Sequence, residues 1–257
     1  MSHRLRLDES AGADDLFALV LNRYPDATRD GEAIRISDTT RFAPAAHGTE
    51  WEIHTPKQRE QDFAPALADG YGLNRAFADG IPVGEEREVL EFLLGAVRRI
   101  GGVLITDSHF ELSPHQFMLP DLRVVAPYEL RPEQCLEIVR EIVKEARIEG
   151  EPDGAPYAIT LPIFPDADLE VRVLELDHEI PAIAHVQWVK DGAAVYHVLF
   201  QPHDEDVAVA DTPDPAQVKK WREAYLGCSA IAKSLHDVTG GFILDIEGFL
   251  VNPDDLF

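Results

Sequence analysis

The sequence contains few cysteines and no long apolar run. Cys135 and Cys228 are too few to form a disulfide framework in 257 residues, so we expect reduced thiols and a cytoplasmic protein. The first residues lack the apolar core of a signal peptide. The apolar run from Leu16 to Leu21 is far shorter than the roughly 20 residues that span a bilayer, so we expect no membrane partner.

Basic residues are scarce relative to acidic residues. The chain has 23 lysines and arginines against 47 aspartates and glutamates, which gives a net charge of −24. Such a charge repels the phosphates of nucleic acids and of anionic membranes, and therefore argues against both as partners. It favours a basic protein partner, or it simply keeps the chain in solution through solvated acidic faces.

Motifs for nucleotide binding and catalysis are also missing. The segment from Gly70 to Gly72 lacks the third glycine and the preceding strand of a dinucleotide fingerprint. His178 opens a pattern like that of zinc proteases, but no second histidine follows and Pro181 would disrupt the required helix. Both Cys135 and Cys228 fall on apolar helix stripes, where thiols are usually inert. We therefore expect no bound cofactor and identify no catalytic residue.

A repeated segment is the most informative feature that is present. The pattern from Gly101 to Phe117 recurs from Gly240 to Leu256 at a constant offset and without a gap. We call this match, in which Gly101 aligns with Gly240, the glycine alignment. In each copy two glycines follow an amphipathic helix, and a proline and several apolar residues recur at fixed places. These shared residues have structural roles in turns and caps.

The acidic residues of the two copies do not coincide. Asp107 and Asp245 are one place apart in the glycine alignment. Two residues at different places of a repeated unit would not occupy the same site in both copies. This displacement argues against a paired acidic site.

The order of predicted elements also repeats. Apolar periodicity predicts helices over residues 85–100, 133–146 and 216–238, with short alternating strands between them. We therefore predict an α+β fold of internally duplicated two-layer α/β sandwich units, in a ferredoxin-like order with additional strands and mainly antiparallel sheet. The units should span residues 1–118 and 119–257. With no flexible linker between them, they should be tightly associated or form one domain.

The pair Asp-Gly at residues 191–192 lies between two alternating apolar runs. This pattern predicts a β-hairpin of residues 183–189 and 194–200. In such a hairpin His185 and His197 would lie on opposite faces of the sheet and could not bind one metal ion. We therefore expect His197 to be a packed, hydrogen-bonded histidine rather than a ligand.

The segment 56–84 is irregular, rich in glycine and proline, and has no counterpart in the second half. Long loops of this kind are often recognition surfaces, although packing between the halves would explain the segment as well. Its apolar residues are the candidate binding residues Phe63, Tyr71, Leu73 and Phe77.

An acidic loop offers the best local set of oxygen ligands for a divalent cation. Its candidate metal ligands are His203, Asp204 and Asp206. The loop lacks the glycine and the later ligands of a calcium-binding loop, so a solvated acidic loop explains it too.

Two functions follow as hypotheses from these observations. The first is a soluble, acidic, non-catalytic protein-interaction or regulatory module whose partner is another protein, with a basic one favoured. The alternative is a carboxylate-based hydrolase, with or without a divalent metal, that uses the acidic loop. A pocket with converging histidines and carboxylates would favour the enzyme, and a flat acidic or apolar patch would favour the interaction module.

Overall fold

The computed structural model describes residues 2–45, 49–61, 69–77, 80–148, 150–203 and 212–256. Contacts between residues divide the chain into two compact units. The main boundary falls between Met118 and Leu119, and Thr212 and Pro213 group with the first unit. Each unit contains one seven-stranded sheet in which all the paired strands are antiparallel.

The first unit contains nine strands and three helices within its described residues. In chain order they are β1 (His3–Leu7), α1 (Ala13–Arg23), β2 (Thr28–Asp30), β3 (Ala33–Arg35), β4 (Arg41–Pro44), β5 (Glu50–His54), β6 (Arg59–Glu60), α2 (Leu73–Ala76), β7 (Ile81–Pro82), α3 (Gly84–Ile100), β8 (Gly102–Ile105) and β9 (Glu111–Leu112). The large sheet has the order β2-β3-β4-β5-β1-β8-β9, and β6 pairs with β7 separately.

The second unit repeats this arrangement. Its elements are β10 (Leu122–Ala126), α4 (Pro132–Ile142), β11 (Arg147–Ile148), β12 (Tyr157–Leu161), β13 (Ala167–Glu175), α5 (Gln187–Lys190), β14 (Ala194–Pro202), α6 (Pro215–Thr239), β15 (Phe242–Asp245) and β16 (Leu250–Val251). The sheet order is β11-β12-β13-β14-β10-β15-β16, which matches the first sheet strand for strand. The predicted fold class, a duplicated α+β arrangement with antiparallel sheets, is confirmed.

Alternating polarity explains why each sheet has a helix-covered face. Along β1 the side chains of His3, Leu5 and Leu7 are buried, whereas Arg4 and Arg6 between them are half-buried. Successive strand residues point to opposite faces, so the apolar set lies toward the helices. α1 and α3 pack together on this unit, as α4 and α6 do in the second.

The long predicted helices are confirmed, with one change of length. Residues 85–100 and 216–238 form α3 and α6, whereas the helix predicted over 133–146 ends at Ile142. Within the described ranges, no helix is both long enough and apolar enough to cross a membrane.

The start of each unit repeats the same helix cap, although the residues that form the cap differ. The amide of Gly12 donates to Asp15 Oδ2 at 2.8 Å at the start of α1. The amide of Arg131 donates to Gln134 Oε1 at 3.2 Å at the start of α4. We call this match, in which Gly12 aligns with Arg131, the capping alignment. Different residues therefore satisfy the same unpaired helix amide at the same position of each unit.

The end of each unit repeats as the glycine alignment predicts. The Thr106 side-chain oxygen accepts the amide of Phe110 at 3.0 Å, and the Asp245 carboxylate accepts the amide of Phe249 at 2.9 Å. Asp245 therefore matches Thr106 in the turn, so the two aspartates are out of register, as predicted. Asp107 has no part in this shared turn contact.

The second glycine of each Gly-Gly pair lies against the first strand of its unit. A Cβ atom on Gly102 would overlap the carbonyl oxygen of Arg6, and one on Gly241 would overlap that of Val125. Only glycine allows a backbone to approach another this closely. The glycine pairs therefore determine how closely the strand that follows the helix approaches the first strand of the unit.

The predicted hairpin of residues 183–189 and 194–200 is wrong. Residues Pro181–Ile183 form a 3-10 turn and the α5 residues form a short helix, while β14 pairs with β13. This connection packs on the outer face of the sheet, where Trp188 stacks on Phe242 with ring centroids 5.6 Å apart. Burial of apolar side chains there outweighs the local hairpin preference.

The close approach of Gly241 gives a test of the shared scaffold. We expect Gly241→Ala to lower the free energy of unfolding of the second unit by about 2–3 kcal/mol, because the added methyl group overlaps backbone. Amide hydrogen exchange of β10 and β15 would measure the loss.

Gly240→Ala is the matched control. Its φ of 67° disfavours alanine, but a Cβ there meets no atom within 4 Å, so the cost should be only about 1 kcal/mol. Equal losses for the two variants would contradict the proposed backbone contact.

Candidate functional site

Five titratable side chains from separate parts of the first unit converge. His3 lies on β1, Glu86 lies in the first turn of α3, and Asp107 lies in the turn after β8. Lys57 and Arg59 come from the segment that follows β5. Glu86 is buried, with 1% of its surface exposed. We call these five side chains the charged network.

Arg59 joins the two carboxylates of the charged network. Its Nε donates to both oxygens of Glu86 at 2.9 and 3.0 Å, and its Nη2 donates to Glu86 Oε1 at 2.7 Å and to Asp107 Oδ1 at 3.0 Å. The amide of Gln58 donates to Glu86 Oε2 at 2.8 Å, and Lys57 Nζ donates to Asp107 Oδ2 at 2.7 Å. Every oxygen of the two carboxylates is therefore bonded.

His3 connects the same two acidic residues through its ring. The amide of Asp107 donates to His3 Nδ1 at 3.0 Å, so this nitrogen carries no proton and Nε2 is the donor. Nε2 lies 3.0 Å from Glu86 Oε1 and donates to it. Bonds at both nitrogens therefore hold the ring in one tautomer.

Hydrogen bonds keep both carboxylates ionised. Burial alone would raise the pKa of Glu86, but the bonds it accepts from His3, Arg59 and the backbone outweigh burial and lower the pKa to about 2. Burial would also raise the pKa of Asp107, and the bonds from the two cations lower it to about 2. Two carboxylates and two cations leave the charged network without net charge.

Phe77 forms the apolar side of the charged network. The guanidinium carbon of Arg59 lies 4.3 Å from the centroid of the Phe77 ring, and the ring of His3 meets it edge-on at 5.9 Å. A cation over an aromatic face is attracted by the negative charge of that face. Phe77 therefore anchors its irregular segment beside the first strand.

The predicted binding residues of this segment differ in their placement. Phe63 lies outside the described residues. Leu73 and Phe77 are buried and Tyr71 is half-buried, whereas the side chain of Arg75 is exposed. The recognition surface stays a prediction, and the exposed part of the segment includes Arg75 rather than Leu73 or Phe77.

A cleft of about 380 Å³ opens beside the charged network. Ser2, Thr39 and Thr55 line it, together with His54 and members of the charged network. Its volume falls at the lower end of the range of small-molecule sites, about 300–1,000 Å³.

Several described residues at the same place in the second unit are less polar than their counterparts in the first. β1 pairs with β5 as β10 pairs with β14, and the glycine alignment relates the later elements. The matched pairs are His3 with Leu122, His54 with Leu199, Thr55 with Phe200, Glu86 with Tyr225, and Asp107 with Ile246. The scaffold therefore forms without the polar residues that line the cleft.

The charged network is better suited to holding a ligand than to proton transfer. A general acid or base needs a pKa near the working pH, and both carboxylates titrate far below neutrality. The ring of His3 already uses both nitrogens. What the network offers is fixed charge at the edge of a cleft.

Of the three predicted metal ligands, the structure describes His203, which lies in the second unit. His203 Nε2 lies 3.1 Å from Asp168 Oδ2, and its side chain is exposed. Asp204 and Asp206 lie outside the described residues, so this site stays a prediction. Among the residues that the structure describes, no group of three or more potential ligands is placed to hold a metal ion.

Both thiols are buried, as predicted. Burial raises the pKa of Cys135 to about 11 and raises that of Cys228 well above its ordinary value. A thiol that stays protonated at neutral pH is a poor nucleophile and a poor metal ligand.

Comparison of the chain with protein families, with curated proteins and with solved structures finds no match in any of the three.

The charged network could not be identified from the sequence, because its members are far apart along the chain. Arg59 and Asp107 are 48 residues apart, and His3 and Asp107 are 104 apart. One indication was present in the repeat, where charged Glu86 and Asp107 align with Tyr225 and Ile246. Where one copy has a charged residue and the other has a less polar one, the fold that the copies share does not require a charge at that position.

The low pKa of Glu86 predicts how the first unit responds to acid. The stabilisation is complete above the ordinary pKa of 4.5 and is lost as the pH falls toward 2. We expect Glu86→Gln to lower the free energy of unfolding at pH 7 by about 3 kcal/mol, since Arg59 and His3 lose their buried partner. The variant should also flatten the pH dependence between 4.5 and 2.

Amide exchange of β1 and β8 across this pH range would measure both effects. Glu88→Gln, which removes an exposed carboxylate from the same helix, is the control and should behave like the wild type. An unchanged acid response in Glu86→Gln would contradict the role assigned to this carboxylate.

Proposed function

We propose that the protein is a non-catalytic interaction or regulatory module that binds a basic segment of another protein. A row of exposed glutamates on α4 is the observation that carries the proposal. We call this row, together with two exposed residues of the same unit, the α4 surface. It consists of Glu133, Glu137, Glu141, Tyr128 and Val238.

The glutamates of the α4 surface repel one another. Glu133, Glu137 and Glu141 are spaced four apart on one side of the helix, and all three are exposed. Like charges at this spacing destabilise a helix by about 0.2–0.5 kcal/mol per pair. Within the described part of the chain, none of the three forms an ion pair. A cationic partner would remove this repulsion.

The first unit shows that the row is not needed by the scaffold. The capping alignment matches Glu137 with Ala18 and Glu141 with Asn22 on α1. Asp14, at the first position of the row, is paired with Arg29 at 2.7 Å. The row of like charges is therefore a feature of the second unit and not of the first.

Two exposed residues, one before the start of α4 and one near the end of α6, add apolar surface to the second unit. Tyr128 and Val238 are 49% and 48% exposed, and the Tyr128 hydroxyl donates to the Val238 carbonyl at 2.8 Å. Exposed tyrosines are enriched in the centres of protein interfaces, where they supply contact area at little entropic cost. The α4 surface thus combines an apolar anchor with charge that selects a basic partner.

The net charge of −24 supports the rest of the proposal. A strongly acidic chain is repelled by nucleic acids and by anionic membranes, so we propose neither as a partner. Reduced, buried thiols fit a cytoplasmic location, which we also propose.

The hydrolase alternative gains one observation, since the cleft in the first unit does bring histidines and carboxylates together. Its weakness is that Glu86 and Asp107 are held ionised by cations, which suits neither a general acid nor a base near neutrality. Binding is therefore the function that we favour for both units.

The triple variant Glu133→Gln, Glu137→Gln and Glu141→Gln tests the proposal. We expect it to lose partners that wild type captures from native lysate at low salt and releases at high salt. Because two like-charge pairs disappear, its free energy of unfolding should rise by about 0.4–1 kcal/mol. Quantitative affinity capture and urea unfolding would measure the two effects.

A charge-matched control separates this surface from net charge. Glu9→Gln, Asp26→Asn and Glu32→Gln remove three exposed carboxylates from the first unit. This control should keep every partner. If both triple variants lose the same partners, or if wild type captures none, the α4 surface is not the binding site.

A further inference from the structure

We propose that the cleft of the first unit binds a small ligand with a primary ammonium group, which replaces the Lys57 ammonium on Asp107. This site is independent of the α4 surface, because all the residues that form it belong to the first unit. Its ligand is a small cation rather than a protein.

Asp107 is a fixed anchor for a cation. Its Oδ1 accepts Arg59 Nη2 at 3.0 Å, and its own amide is bonded to His3 Nδ1. Only about 10% of its side chain is exposed, and Asp107 is one of the residues that line the cleft. A carboxylate held on both sides keeps its orientation when the cation on Oδ2 changes.

Lys57 is the replaceable member of the charged network. Its ammonium lies 2.7 Å from Asp107 Oδ2, but its side chain is 65% exposed. Ion pairs with one such exposed partner contribute only about 0–1 kcal/mol, because water competes for the cation and the long side chain loses rotamer freedom. Arg59, by contrast, is mostly buried and bonded to both carboxylates. A ligand would therefore displace Lys57 and leave Arg59 in place.

Charge balance selects a cationic ligand. The network holds two carboxylates against two cations, so moving Lys57 into solvent leaves one negative charge at the cleft. An ammonium ligand restores the balance, whereas an anion would add a second unpaired charge beside Glu86 and Asp107.

The lining of the cleft fits a small polar amine. Ser2, Thr39 and Thr55 line the same cleft as Asp107, and hydroxyl oxygens are acceptors that suit an ammonium group, which has three N–H donors. In the second unit Phe200 stands in the place of Thr55, and Leu122 in that of His3. At these two described positions, therefore, the first copy of the scaffold carries polar residues and the second carries apolar ones.

Titration with n-butylamine at pH 7 and constant ionic strength tests the proposal, with amide chemical shifts of Asp107 and Ser108 as the readout. We expect Lys57→Gln to bind n-butylammonium about two- to fivefold more tightly than wild type, because the competing cation is gone. Butyrate, the probe of opposite charge, should not shift these amides.

Lys219→Gln is the matched control, since it removes another exposed lysine that is paired with a carboxylate. It should bind n-butylammonium like wild type. Asp107→Asn should bind none, and if this variant fails to fold, the comparison of Lys57→Gln with Lys219→Gln still decides the matter.

A blocked tripeptide, acetyl-Gly-Lys-Gly-amide, distinguishes the source of the ammonium. Tighter binding of n-butylamine than of the tripeptide supports a small-molecule ligand. Tighter binding of the tripeptide would overturn that assignment in favour of a lysine side chain of a protein. Equal affinity of n-butylammonium for wild type, Lys57→Gln and Lys219→Gln would overturn the site itself, as would equal binding of butyrate.

Discussion

The contact between the glycine pair and the first strand is the constraint on which each unit depends. β1 and β10 each have a neighbour on both sides, so within each seven-stranded sheet they join the early strands of the unit to its last two strands. Gly102 and Gly241 permit the last strands to approach these backbones without a side chain between them. This approach fixes where α3 and α6 end, and it fixes the turn that carries Asp107 and its counterpart Ile246.

The charged network uses that turn in only one of the two units. Burying charges is costly unless they are paired, and a buried ion pair often stabilises a fold no better than apolar residues of similar size. The second unit holds Leu122 and Ile246 where the first holds His3 and Asp107, and the same sheet forms. The network is therefore best explained by the cleft beside it, and the duplicated scaffold carries different surfaces on its two copies.

Local chemistry determines the parts of the fold that could be predicted from the sequence. The glycine alignment could be predicted from the sequence, and so could the ends of the helices at Gly101 and Gly240. Few residues other than glycine suit these positions. The capping alignment could not be predicted from the sequence, because Asp15 and Gln134 are different residues that accept the same hydrogen bond at the start of their helices. The repeat is also not visible in the sequence at core positions, because any apolar residue of suitable size can fill them.

Long-range packing determines the features that were missed. Residues 183–189 alternate like a strand, but they cover an apolar sheet face that the sequence does not reveal. The charged network depends on which loops meet, and no local pattern of Lys57, Arg59 or Glu86 encodes that meeting. Phe77, one of the candidate binding residues, is buried and supports the network from inside.

The central claim is that the charged network serves the cleft and not the fold. The most direct test replaces the whole network's buried part, with His3→Leu, Arg59→Met, Glu86→Leu and Asp107→Ile in one chain, and measures amide exchange of β1 and β8. We expect free energies of exchange within about 1–2 kcal/mol of wild type, as is usual when buried ions are exchanged together for apolar residues. Exchange of these amides at unfolded rates, while β10 and β15 stay protected, would contradict the claim.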